Sequence, residues 1–321
     1  MSASPEAGAG APAFTVVTKA YNEEAFVGEA IRSALAQTRG DFELVVVDDG
    51  STDSTADVVR GFESDPRVRL LSQENRGVAA AMNAGIATGS APYIALLDAD
   101  DLWMPGYLEE MGKTLDRHPD AGFAYTDAWW LDTASGRFYR RTISEYMGAP
   151  ASPPSDPQEF LRLLMRRNWL FGLTTMRRTV VERVGGVDES LRGSEDYDLW
   201  IRILAGGHEA VRVPGRLAVQ RDRSSSLSAD EQGMLTTLRT VYSAAMENPG
   251  IGDDARAVAR QRLEDIEGRL AGMQRGRRPV AQVARGLLGR AAKTLLPWRY
   301  WHQSTPAEIV AAFPDFDWEP R

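Results

Sequence analysis

The 321-residue chain contains no cysteine, which excludes disulfides, cysteine-ligated zinc, iron–sulfur clusters and thiol nucleophiles. Histidine is almost as scarce. His118, His208 and His302 are its three copies, far apart in sequence, so no histidine-rich metal site is expected. Any metal must then be held by carboxylates and ligand oxygens, a donor set that favours hard ions such as Mg²⁺ or Mn²⁺. Long apolar runs are missing too: none approaches the roughly 18 residues needed to cross a bilayer. The net charge is −8, and without a basic excess, nucleic-acid binding across the whole surface is disfavoured. The opening MSASPEAGAGAPAF has neither the basic nor the apolar stretch of a signal peptide. Residues 1–12 therefore read as a flexible leader, and the expected compartment is the cytoplasm. What is present suffices for a core, with 43% hydrophobic and 26% charged residues.

From Phe14 onward, short apolar runs alternate with helical stretches. Strands are predicted at 14–18, 42–47, 68–72 and 93–97, and helices at 24–37, 54–62 and 77–88. Strand–helix–strand repetition at this spacing points to a parallel sheet covered on both faces. The second half is less regular. It reads as a strand at 121–131, a Pro/Ser loop at 152–156, a helix at 157–166, a strand at 173–177 and a short helix at 180–184. A strongly patterned helix at 195–205 has Ser194 placed to cap it. Residues 219–228 (VQRDRSSSLS) are polar and read as a loop, and helices follow at 229–247, 253–274 and 279–296. A boundary is placed near Ala229.

Four clusters carry chemistry. In YIALLDADD an apolar strand delivers Asp98, Asp100 and Asp101 at its C-terminal end, the edge at which open parallel sheets bind ligands. If the extended conformation persists, Asp98 and Asp100 share a face, and a divalent cation on a pyrophosphate would relieve their repulsion. A solvated acidic turn is the alternative. At the end of the second strand, Asp48-Asp49-Gly50-Ser51 offers either a carboxylate acceptor for a nucleobase or ribose, or an Asx turn with a helix cap. After the first strand neither GxGxxG nor GxxxxGK[ST] occurs. There Tyr21 offers a ring to stack on a base, or alternatively a half-buried core residue. In GSEDYDLW, acids crowd the first turn of a helix, an arrangement that the helix dipole alone would explain.

TKAYNEE, VVVDDGSTDST, NRGVAAAMNAGIATGSAPYIALLDADD and GSEDYDLW, in this order and spacing, resemble a family 2 glycosyltransferase of the GT-A fold. The resemblance covers about two-thirds of the chain. It implies a Rossmann-like, mixed but mainly parallel sheet flanked by helices over residues 13–228; the helical stretches beyond the boundary read as a C-terminal extension over 229–321. It also implies roles for matching positions. Tyr21 and Asp49 would hold the base of a nucleoside diphosphate sugar. Lys19, which stands where the family often has Pro or Thr, and Arg76 would lie near the nucleotide. Asp98 would face the ribose and Asp100 would be the metal ligand for Mn²⁺ or Mg²⁺, with Asp101 beside them. Asp196 would be the general base, Glu195 would orient it or contact the acceptor, and Asp198 would be structural. Arg221 would fold over the diphosphate, in a segment where Arg223 replaces the family's frequent histidine, although a solvated linker reads equally well there.

The implied reaction is inverting transfer of one sugar from a nucleotide sugar, UDP-linked first and dTDP- or GDP-linked as alternatives. The acceptor hydroxyl would belong to a glycan, a lipid-linked sugar or a small molecule. No QxxRW motif of processive synthases is present. A catalytically inactive sugar-nucleotide-binding scaffold is the reading from another class. Residues 275–302 carry seven basic and no acidic side chains. Their apolar positions fall at helical spacing, which suits peripheral contact with an anionic membrane at its inner face, packing on the protein, or a homodimer.

Overall fold

The computed structural model describes residues 11–223, 230–275, 301–302 and 304–314. Four strands, β1 (Phe14–Ala20), β2 (Phe42–Asp48), β3 (Val68–Ser72) and β4 (Tyr93–Leu96), run parallel in the order β3-β2-β1-β4. They are joined by α1 (Val27–Leu35), α2 (Thr55–Arg60) and α3 (Val78–Thr88). β2 is buried on both faces, so its run Leu44-Val45-Val46-Val47 does not alternate with polar residues. Each such side chain contributes roughly 1.5–3 kcal/mol by leaving water.

Beyond β4 the sheet becomes mixed. After β5 (Leu102–Trp103) and α4 (Tyr107–Arg117), the long β6 (Ala121–Asp132) is followed by β7 (Arg137–Phe138), α5 (Ile143–Met147) and α6 (Pro157–Arg166). Then come β8 (Thr174–Arg177), α7 (Arg178–Arg183), α8 (Glu195–Ala205) and β9 (Glu209–Asp222). The full order is β3-β2-β1-β4-β8-β6-β9-β5, with β7 paired to β6. β8 is antiparallel to both β4 and β6, whereas β9 is parallel to β6.

The expected loop over 219–228 is corrected in its first part. β9 continues through Asp222, because Arg221 and its neighbours gain ladder partners on β6 and a buried ion pair that composition does not reveal. Residues 224–229 lie outside the described residues, as do residues 1–10 of the 1–12 leader and the basic helix predicted at 279–296.

Two helices, α9 (Glu231–Glu247) and α10 (Asp253–Gln274), share one apolar core with α6 and α8. Tyr197 and Tyr242 exchange a hydroxyl hydrogen bond of 3.0 Å, and Tyr242 also donates to the Met165 carbonyl at 2.8 Å. The chain returns to the sheet at Trp301, which bridges to Tyr139 and stacks on it with ring centroids 4.4 Å apart. On the short helix α11 (Ala307–Ala312), Ile309 is buried with Trp129, Phe138, Val219 and the adjoining Phe313. No described helix is long and apolar enough to cross a membrane.

Candidate active site

Because β1, β2 and β4 are parallel, their C-terminal ends open on one edge, and the first three sequence clusters meet there. At the end of β2 the two aspartates divide the work. Asp48 accepts from the Ser51 N–H at 3.1 Å, forming an Asx turn. Asp49, buried, reaches across to the loop before α3 and accepts from Gln73 Nε2 at 2.7 Å and from the N–H groups of Arg76 and Gly77 at 2.9 and 2.8 Å. Gly77 has φ +94°, in the left-handed region that glycine adopts without steric cost. Tyr21 is 48% exposed, so its ring is presented at the rim and is not a core residue. The Arg76 guanidinium points to the surface and pairs with Glu189 at 2.9 Å.

The DAD segment is not an extension of β4. The strand stops at Leu96 and a turn follows, closed by the Asp101 N–H donating to the Asp98 carbonyl at 3.1 Å. Asp98 and Asp100 are therefore separated by a turn and not aligned by strand alternation. Asp98 faces Lys19, whose Nζ lies 3.1 Å from Asp98 Oδ1 and 3.2 Å from Glu195 Oε1. One ammonium thus ties β1, the post-β4 turn and the start of α8. Gly172 makes this packing possible, since a Cβ there would sit 2.7 Å from Asp98 Oδ2.

Asp100 faces Arg223, with Nη2 at 2.7 Å from Oδ2, and the same guanidinium grips both oxygens of Glu23 at 2.7 and 2.8 Å. Arg221 is buried. Its N–H donates to Asp101 at 2.9 Å, Nη1 donates to the Asp100 carbonyl at 2.5 Å, and Nη2 pairs with Glu29. The expectation of a solvated linker at Arg221 is thereby overturned. Its guanidinium is turned inward to hold the acidic turn, while Arg223 takes the position beside the carboxylate. The Phe26 ring lies against both guanidinium groups, at 5.1 and 4.8 Å.

At the start of α8, Ser194 occupies the cap position without capping. Its φ of +52° is left-handed, and its Oγ contacts Met234 Sδ at 3.1 Å. A non-glycine residue there is uncommon and costs backbone energy. Asp196 follows, half-buried, its Oδ1 accepting from the Tyr197 N–H at 2.6 Å. Burial, then repulsion from Glu195, pushes its pKa up to about 7, with Lys19 pulling the other way. Asp198 is engaged one turn on, at 2.7 Å from Arg202 Nε.

Among the described residues, the cleft is short of positive charge. Glu23, Glu29, Asp98, Asp100, Asp101, Glu195 and Asp196 meet three cations: Lys19, Arg221 and Arg223. Burial opposes the Lys19 ammonium, yet Asp98, Glu195 and Asp196 together hold its pKa above the ordinary value. Burial, with Asp98 repulsion against the pull of Arg223, raises the Asp100 pKa; burial with repulsion from Asp100 and Asp98 raises that of Asp101 further. Carboxylates held this way accept a hard cation readily. No three His, Asp or Glu side chains among the described residues form a metal site by themselves, so a cation at Asp100 would need further oxygens from a bound ligand. Gly172 carried no signal in sequence, and the pairing of Arg223 with Glu23 could not be read there because the two are 200 residues apart.

A family model for glycosyl transferase family 2 matches residues 15–170. The succinoglycan biosynthesis protein ExoU of Rhizobium meliloti (strain 1021) is 34% identical over 268 residues, which cover 79% of this chain and 75% of that protein. Among solved structures, S. aureus TarS 1-349 in complex with UDP-GlcNAc superposes with a TM-score of 0.60 at 17% identity, covering 79% of this chain and 71% of that one. The mannosyltransferase PcManGT from Pyrobaculum calidifontis, in complex with GDP-Man and Mn²⁺, gives 0.57 at 22% identity, covering 90% and 82%. These likenesses place the fold among GT-A glycosyltransferases.

Proposed function

Since the chain belongs to glycosyl transferase family 2 and is a glycosyltransferase, we propose that it transfers one sugar from a UDP-sugar to a glycan hydroxyl by a single inverting displacement. The observation that carries this reading is the Lys19 bridge, which brings the DAD turn and the SED helix start into one cleft at 3.1 and 3.2 Å. Exposed Tyr21 offers a face for the base, and Asp49 fixes the loop beside it. Asp98 and Lys19 stand where the ribose and phosphates would enter.

Asp196 takes the proton of the acceptor hydroxyl as its oxygen attacks the anomeric carbon. The bond from that carbon to the diphosphate oxygen breaks, and the nucleoside diphosphate leaves from the opposite face. A pKa of about 7 suits a general base near neutral pH. Glu195 holds Lys19 and, through it, the position of Asp98. Asp100 would hold Mn²⁺ or Mg²⁺, which when bound to the diphosphate supplies Lewis-acid neutralisation of the departing charge. The excess of carboxylates in the cleft and the Mn²⁺ in the PcManGT complex support this assignment. The succinoglycan-related name of ExoU supports a polysaccharide as the product. Membrane contact through the basic segment would lie outside the described residues.

Calorimetric titration with UDP, GDP and dTDP, each with and without Mn²⁺, tests the donor reading. UDP is expected to bind most tightly, with Mn²⁺ dependence lost in Asp100→Ala. Absence of binding by all three nucleotides would overturn the function. Binding that ignores both Mn²⁺ and the substitution would overturn the metal role.

A further inference from the structure

A cavity of about 440 Å³ lies between the loop at residues 190–192 and the first turns of α9. Its size falls within the roughly 300–1,000 Å³ typical of small-molecule sites. Its lining is polar in a particular way. Exposed Thr236 and Thr240 donate their hydroxyl protons to the carbonyls of Gln232 and Thr236, at 2.8 and 3.4 Å. Their oxygens are thereby left as acceptors. Thr237, 7% exposed, lines the same cavity. Asp230 adds a carboxylate, while Gln232 and Arg192 add N–H donors, the latter anchored by donating to the Arg76 carbonyl at 3.1 Å.

Ligands of other classes fit this wall poorly. A phosphate would meet Asp230 and a row of acceptor oxygens, and an acyl chain would find Leu191 as its one large aliphatic contact. A saccharide matches, because each of its hydroxyls both donates and accepts. The cavity is also coupled to the chemistry. Its wall at residues 190–192 runs directly into Gly193-Ser194-Glu195-Asp196, and its floor helix touches Ser194 through Met234 at 3.1 Å.

Resting on the glycosyltransferase reading above, we propose that this cavity is the acceptor subsite, holding the terminal sugars of the acceptor glycan with the reacting hydroxyl directed toward Asp196. Saturation-transfer NMR on the full chain, with UDP and Mn²⁺ present, tests it using methyl β-glucoside, methyl β-galactoside, cellobiose and lactose as probes. Thr236→Trp and Thr240→Trp each fill the cavity from an exposed position of α9. At least one saccharide is expected to receive saturation, and either substitution is expected to weaken it about tenfold, while UDP affinity stays within about twofold. Saccharide signals unchanged in both variants would overturn the subsite, as would UDP binding with no saccharide response. Failure of the parent chain to bind UDP would instead overturn the donor reading, and the subsite with it.

Discussion

Lys19→Met preserves the aliphatic stem and removes the ammonium that stands 3.1 Å from Asp98 and 3.2 Å from Glu195. That ammonium also favours the charged form of Asp196, against burial and Glu195, which together set the Asp196 pKa at about 7. Removing an opposite charge at such range raises a carboxylate pKa by about 1–3 units. With a rise of about one unit, the deprotonated fraction of Asp196 at pH 7 drops from about a half to about a tenth. The base must be deprotonated to accept a proton, so the rate climbs with pH, and the variant's climb moves to higher pH. Release of UDP from a UDP-sugar, followed from about pH 5.5 to 9, should therefore fall about fivefold at neutrality and recover at the alkaline end. Asp196→Asn is the control: its activity should lie about 10²–10⁴ below the parent's alkaline plateau and show no climb with pH, with UDP affinity intact. A parent profile that is flat across this window would refute the reasoning, as would a Lys19→Met climb displaced toward acid.

Two further outcomes follow from contacts in the cleft. Arg221→Met removes the guanidinium paired with the buried Glu29 carboxylate and should cost about 3–5 kcal/mol in chemical denaturation; adding Glu29→Gln should recover part of that loss, and equal stability of the single and double variants would contradict the pairing. Gly172→Ala places a methyl 2.7 Å from Asp98 Oδ2, which rotates the carboxylate while leaving the core alone. The donor KM should rise about 10–100-fold with the melting temperature little changed, and an unaltered KM would remove Asp98 from the site.

The first half of the chain was legible because every strand from β1 to β4 is a short apolar run bounded by turn residues, and every intervening helix has its own period. Helices α6, α8 and α10 were equally readable, from Pro157 and Asp156 at one start and from long amphipathic patterns in the others. Helix α4 carried a usable signal in Tyr107, Leu108, Met111 and Leu115, spaced to bury one face. The end of β9 did not. Gln220-Arg221-Asp222 reads as loop because a buried arginine is polar in sequence and neutralised only in space, by a glutamate 192 residues away. The turn in DAD was hidden for a related reason: Asp98, Asp100 and Asp101 take their directions from Lys19, Arg223 and Arg221, contacts that no local pattern encodes.

The chain leaves α10 at Arg275 and is fastened again at Trp301, where the His302 N–H donates to the Phe138 carbonyl at 2.9 Å and Ile309 is buried against the β6–β9 rim. The seven basic residues of 275–302 fall, in sequence, between these two moorings. Cutting the chain before Arg275 would strip away Trp301, Ile309 and Phe313 along with the charges and uncover Trp129, Phe138 and Val219, so a sticky, unstable product could be mistaken for one that had lost an electrostatic contact. Reversing the charges in place, with both moorings kept, separates the two effects.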